Sequence, residues 1–155
     1  MAFSGNALCN SFKKELLEAG HNFKNSGGSA FKLALFDNNA VPSDMGGSGS
    51  TMDASVTNYA TNNEITGSGY TAKGEALTRV NPSLDSSTAI TDFTDLVFST
   101  VTISAVRGAV IFNDDASNDA SVCVLDFGGD KAASAGDFTI VFPTANASNA
   151  IIRIA

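Results

Sequence analysis

Leu8, Phe12, Leu16, Ala19 and Phe23 recur at spacings of three and four residues, which places them on one face of a helix. Asn10, Lys13, Lys14 and Glu18 fall largely outside that stripe. The spacing predicts an amphipathic helix over residues 4–20, opened by Ser4 as N-cap. It closes after Ala19, with Gly20 as the left-handed stop. Cys9 falls on this helix. Asn25-Ser26-Gly27-Gly28-Ser29 then reads as a flexible link.

The period changes to two at Phe31, Leu33 and Leu35, which predicts a strand over Phe31–Phe36 ended by Asp37-Asn38-Asn39. Residues 41–63 are rich in Gly, Ser, Thr and Asn and only weakly periodic, so they predict a long flexible loop, with a helical turn over Asp53–Tyr59. Gly67–Tyr70 reads as a turn. Ala76–Val80 reads as a strand ended by Asn81-Pro82, and Thr88–Phe93 as a short strand. Leu96 and Phe98 alternate, and Val101 and Ile103 continue with the phase slipped by one, which predicts a β-bulge near Ser99-Thr100 or two short strands. Val106–Phe112 is apolar on both faces and predicts a central strand. Ser121–Phe127, Asp137–Phe142 and Ile151–Ile154 predict three more, separated by turns at Asn113–Asp119 and Gly128–Lys131. About seven or eight short strands at this spacing imply a mainly β chain. The expected fold is an antiparallel β-sandwich or barrel, jelly-roll-like, with one N-terminal α-helix and a single domain over residues 1–155.

Composition narrows the function. The chain has 155 residues, 43% hydrophobic and only 16% charged, with 11 Phe and no Trp. That is enough apolar material for a core and too little charge for a long disordered region. Nine Lys and Arg against 16 Asp and Glu leave a formal charge of −7. Nucleic acid as a partner is disfavoured, because phosphate contacts need a basic footprint, and an anionic membrane surface is disfavoured for the same reason. The residues from Met1 lack the basic start and apolar stretch of a signal peptide. Cys9 and Cys123 read as two reduced core thiols of a protein made in a cytosol, with one disulfide as the alternative.

The residues offer little chemistry. His21 is the only histidine, and a nucleophilic scheme needs a positioned base. Beside a helix end it reads better as a group favoured by the negative end of the helix dipole. Gly69 and Gly74 have the spacing of a phosphate loop, but Glu75 and Ala76 stand where Lys and Ser or Thr are needed. Asp114, Asp115 and Asp119, or Asp126, Asp130 and Asp137, are candidate calcium ligands, although hairpin tips carry Asp for turn geometry as well. Sugar clefts lean on aromatic stacking, and Tyr59 and Tyr70 are the only tyrosines. Asn146-Ala147-Ser148 matches a glycosylation sequon, and the expectation is that the match is coincidental. The expectation is a non-enzyme that holds no cofactor and no metal.

Several stretches together resemble a known family. They are Asn10–Leu17 with His21, Phe31–Leu35, Thr66–Gly74, Leu125–Lys131, Ala135–Ile140 and Ala150–Ile154. In order and character they are similar to small virion structural proteins of tailed bacteriophages from marine and cyanobacterial hosts. The resemblance spans most of the chain and is weakest over Ser43–Ser55. It implies a capsid decoration, or cement, protein on the outer shell that bridges major capsid subunits, often as a homotrimer. It brings no catalytic residues. The alternatives are a tail, neck or fibre-base component of the particle, and a receptor- or carbohydrate-binding β module.

A decoration protein needs a rigid scaffold with apolar anchors. The candidate contact surface is Leu8, Phe12 and Leu16 on the helix stripe, with Met45, Met52 and Tyr59 from loop 41–63. The stripe packs on its own sheet or reaches a neighbouring subunit. Lys13, Lys14, Lys24 and Lys32 make the N-terminal part locally basic. That suits an acidic capsid patch, and a solvated face equally.

Overall fold

The computed structural model describes residues 3–155. It contains eight strands, β1 (Ala7–Leu8), β2 (Phe31–Phe36), β3 (Glu75–Ala76), β4 (Arg79–Asp85), β5 (Thr88–Phe93), β6 (Leu96–Asn113), β7 (Ala120–Ile140) and β8 (Ile152–Ile154), with one helix, α1 (Asn10–Leu17). They form a five-stranded sheet in the order β1-β7-β6-β2-β3 and a three-stranded sheet in the order β4-β5-β8. Every pairing is antiparallel. The arrangement is sandwich-like and mainly β, as the period-two pattern predicts.

Alternation along β2 divides the core. Phe31 stacks on Phe23 with ring centroids 4.4 Å apart and meets Phe93 of β5 at 5.9 Å, so this face of the large sheet looks at the small sheet. Phe36 and Phe112 lie on the opposite face, where Tyr59 packs at 6.4 Å and 4.5 Å. The segment 37–74 covers that second face. The Ala109–Phe112 run of β6 is buried between the two layers, which makes it the central strand its two-sided apolarity predicts. Close approach here requires glycine. A Cβ on Gly108 would lie 2.4 Å from the Phe3 ring, and one on Gly74 would lie 1.8 Å from the Leu33 carbonyl oxygen.

The helix is shorter than its stripe suggests. Gly5 takes a φ of 79°, and Ala7 and Leu8 pair with Val124 and Cys123 of β7. Backbone pairing at the sheet edge therefore wins over helical propensity, and the N-cap is Cys9 rather than Ser4. Leu8 leaves the helix stripe and becomes a strand residue. At the other end Ala19, not Gly20, is the left-handed residue, with a φ of 59°. The Ala19 N–H donates to Leu16 O at 3.2 Å and the Gly20 N–H to Glu15 O at 2.8 Å, which completes a Schellman cap.

Three strand boundaries also differ. β4 runs through Asn81-Pro82 to Asp85, because the register with β5 shifts between Val80 and Ser83 and the proline sits in that irregularity. The predicted strands 121–127 and 137–142 are parts of one 21-residue strand, β7, which runs to Ile140. It pairs with the 18-residue β6 as a long arm. The predicted bulge at Ser99-Thr100 is present, with Thr100 at a φ of 53°. Further positive φ values at Ala105, Gly128 and Ala135 mark irregularities that alternate between the two strands. These bends let the arm continue where the sequence shows only turn residues.

Residues 41–63 are packed rather than loose. A 3-10 turn over Pro42–Met45 begins the segment, and Met45, Met52 and Val56 are wholly buried. Met52 bridges to Phe3. Asp53–Tyr59 contains a single turn closed by Val56 N–H to Asp53 O, not a helix.

Candidate interaction surface

The six residues singled out from the sequence do not form one surface. Phe12, Met45, Met52 and Tyr59 are core residues. The pattern that marks them as apolar anchors is the pattern of burial in this chain. Phe12 packs on His21 at 5.0 Å and on Phe23 at 6.0 Å, within its own chain. Leu8 and Leu16 are half-buried, and each borders a surface depression.

Leu8 borders a cleft of about 680 Å³ between the outer edge of β1-β7 and the segment 140–153, with Leu125, Asp126, Phe142 and Arg153 among its walls. Its carboxylate is engaged. Asp126 accepts from Gly5 N–H at 3.0 Å and Gly128 N–H at 2.8 Å and faces Arg107 at 3.6 Å. The Gly5 bond, ahead of the other contacts, holds this carboxyl below the usual range.

Leu16 borders a groove of about 400 Å³ between the end of α1 and the small sheet. The register explains its apolar floor. Thr91 lies opposite Ile152, and Ala89 opposite both Leu84 and Ile154, so alternation puts Leu84, Ala89, Thr91, Phe93, Ile152 and Ile154 on one face. That face is the inner face of the sandwich. Phe93, Thr91 and Ile152 are buried, but Leu84 is 74% exposed and Ile154 56%. The core therefore continues past the large sheet into solvent. The sequence missed Leu84 as a surface residue, because Asn81-Pro82 reads as the end of its strand.

Several titratable groups are engaged with one another. The Glu64 carboxylate accepts from the hydroxyls of Tyr59 and Tyr70 and from Lys73 N–H. Lys73 Nζ lies 3.0 Å from Asp114 and 2.9 Å from Asp119, and Lys32 reaches Asp114 at 3.2 Å. The hydrogen bonds that Lys73 Nζ donates to Asp119 and Asp114 raise its ammonium above its ordinary value, so it stays a cation rather than a base. Burial opposes ionisation of Asp114, yet Lys73 and Lys32 hold its carboxyl below the usual range. Asp115 accepts from Ala30 N–H at 2.7 Å, Asp137 accepts from Thr100 N–H at 3.0 Å and Asp130 faces Arg107 at 3.6 Å. The candidate calcium ligands thus serve cations and backbone donors of their own chain. Among the described residues no group of three or more His, Cys, Asp or Glu is placed to hold a metal ion.

His21 is a packing and hydrogen-bonding residue between α1 and the sheet. Asn113 Oδ1 accepts from Asp115 N–H and its Nδ2 donates to Gly20 O. That fixes the amide, so Nδ2 presents its second hydrogen to His21 Nδ1 at 3.2 Å, and Nε2–H faces Glu15 at 2.9 Å. Cys9 and Cys123 are free thiols. Leu8 is opposite Cys123, so alternation turns Cys9 to the other face of the sheet. Burial pushes the Cys9 thiol up to about 12 and raises that of Cys123 further.

No helix among the described residues is long and apolar enough to cross a membrane. Compared with protein-family models, curated proteins and solved structures, the chain matches none.

Proposed function

We propose that the chain is a structural protein of a tailed-phage particle, a decoration protein on the outer capsid shell that joins neighbouring major capsid subunits. The observation that carries this reading is the uncovered inner face of the small sheet, where Leu84, Ala89 and Ile154 form an apolar row across three strands. A row of this kind on a rigid sandwich suits docking onto another protein better than turnover of a small molecule. The resemblance in segments 10–17, 66–74, 125–131 and 135–140 supports the virion context. A homotrimer belongs to the same reading, as does synthesis in the host cytoplasm, where buried free thiols suffer no oxidation.

Quantitative mass spectrometry of gradient-purified particles tests this. Hundreds of copies per particle, counted against the major capsid protein, are expected for a shell protein. A handful, in multiples of three or six, would move the chain to the tail or neck. Absence from the particle would overturn the virion reading.

A further inference from the structure

We propose that residues 141–151 together with β8 form a hinged strap, which opens from the small sheet while the large sheet stays folded and so joins the cleft and the groove into one recess. This goes beyond the reading of the chain as a particle protein and does not depend on it.

The strap is the wall between the two depressions. Asn149, Ile151 and Arg153 border the cleft of about 680 Å³, while Ile152 and Ile154 border the groove of about 400 Å³, opposite Leu16 and Lys24. Strand alternation accounts for the division, since 151 and 153 point to one side of the strap and 152 and 154 to the other. Beneath it Phe142 packs on Phe93 with ring centroids 5.7 Å apart, and both rings are buried. Phe93 lines neither depression while the strap is closed. Lifting the strap uncovers one side of it.

Side chains make the fastening. Phe142 N–H donates to Asp95 Oδ1 at 2.9 Å, Ala147 N–H to Asp85 Oδ2 at 2.7 Å and Ile151 N–H to Asp92 Oδ2 at 3.2 Å. Backbone groups along the strap thus end on carboxylates of β4, of β5 and of the turn that follows β5. Between these ties the strap bonds to itself. Asn146 Oδ1 accepts from Ser148 and Asn149 N–H, and Asn146 O accepts from Ala150 N–H. β8 adds a ladder of three residues against Ala89–Thr91. In contrast, β6 is paired on both sides, by β2 and by β7. A short ladder with side-chain ties opens at lower free energy than a central strand.

Asp92 keeps the strap near the point of release. It is wholly buried, and its second oxygen accepts from Phe93 N–H at 2.8 Å. Among the described residues no cation lies within ion-pair distance of it. Burial raises its carboxyl above the ordinary value, against the pull of the Phe93 and Ile151 bonds. Closure therefore holds a carboxylate away from water with two amide donors as its only compensation, and opening hydrates it.

Native-state hydrogen exchange of the full chain, read residue by residue by NMR at low urea concentrations, tests this. The amides of Phe142, Ala147 and Ile151 are expected to exchange through one common opening. That opening should be populated about a hundredfold or more above the one that frees Val110 and Ile111 of β6. The D85A/D95A double variant removes two ties and leaves Asp92 in place. It is expected to speed exchange at Ile151 by about tenfold, with Val110 and Ile111 unchanged. Exchange of the strap amides only with global unfolding would show that the strap belongs to one cooperative core. No acceleration at Ile151 in the double variant would show separate bonds rather than one unit. Equal acceleration at Val110 and Ile111 would show that the two carboxylates serve the whole fold. Each of these results overturns the proposal.

Discussion

Tyr70 and Glu64 are joined by a hydroxyl that works in both directions. The Tyr70 hydroxyl donates to Glu64 Oε1 at 2.8 Å and accepts from the Leu35 N–H at 2.9 Å. One side chain from the segment 37–74 thereby closes both a backbone group of the large sheet and a carboxylate of its own segment. Burial, with the nearby Glu64 adding to it, raises the phenol well above its ordinary value, so it keeps its proton in neutral solution. Tyr70→Phe removes the acceptor for Leu35 and a donor for Glu64, and is expected to cost about 1–3 kcal/mol. Urea unfolding of the two chains measures it, and an unchanged midpoint would show that water replaces the hydroxyl.

Met52 tests whether residues 41–63 are anchored by burial. It has no exposed surface and bridges to Phe3. Met52→Ala should destabilise the whole fold by about 2–5 kcal/mol. A mobile loop would show a change near zero in the same melt.

Three alanines, Ala19, Ala105 and Ala135, occupy left-handed positions that suit glycine. Ala19 ends α1 with a φ of 59°, and Ala135 sits in a bulge of β7 with a φ of 48°. Left-handed backbone costs an L-residue about 1–2 kcal/mol, and glycine's extra freedom in the unfolded chain offsets about 0.5–1 of that. Ala19→Gly and Ala135→Gly should therefore each raise stability by about 0.5–1 kcal/mol. A control substitution at Ala109, in regular strand, should lower it.

Acid should unfold the chain through specific carboxylates. Asp114 and Asp126 are held below the ordinary carboxyl value. The stability they contribute is fully present above the unfolded value of about 3.9 and is lost as pH falls through the lower folded values. Thermal melts from pH 5 down to pH 2 should show a falling Tm, and Asp114→Asn should flatten that slope. A slope that Asp114→Asn leaves intact would place the acid sensitivity elsewhere.

The two thiols should be silent in the native state. Both are buried with raised pKa, on opposite faces of the sheet. A disulfide-exchange reagent should react with neither until urea unfolds the chain, after which both should titrate. Rapid labelling of one thiol in the folded protein would show local opening of β1.

The elements legible in the sequence are those whose pattern is local. Phe31–Phe36 and Thr88–Phe93 match their strands, and the phase slip at Ser99-Thr100 marks a real bulge. The misread parts are decided by partners far along the chain. Ala7 and Leu8 look helical until β7 offers them a ladder. Gly128-Gly129-Asp130-Lys131 looks like the end of a strand, yet β6 carries it onward through a bulge. Met45, Met52 and Tyr59 sit in a stretch of Gly, Ser and Asn that hides how deeply they are buried. The groove was partly legible, through Leu16 and Lys24. Its floor was not, because the inner face of the small sheet is set by the pairing of residues 84, 89 and 154.

The irregular arm of β6 and β7 has a consequence for crowding. Beyond Val124, the partner of Ala7, β7 has no strand on its outer side among the described residues, and a straight edge of that length would recruit other chains into fibrils. The left-handed kinks at Gly128 and Ala135 and the charges of Asp130, Lys131 and Asp137 interrupt it at intervals of a few residues. No flat stretch remains long enough to template a stacked strand. Copies of the chain therefore find no template along this edge for polymerising edge to edge.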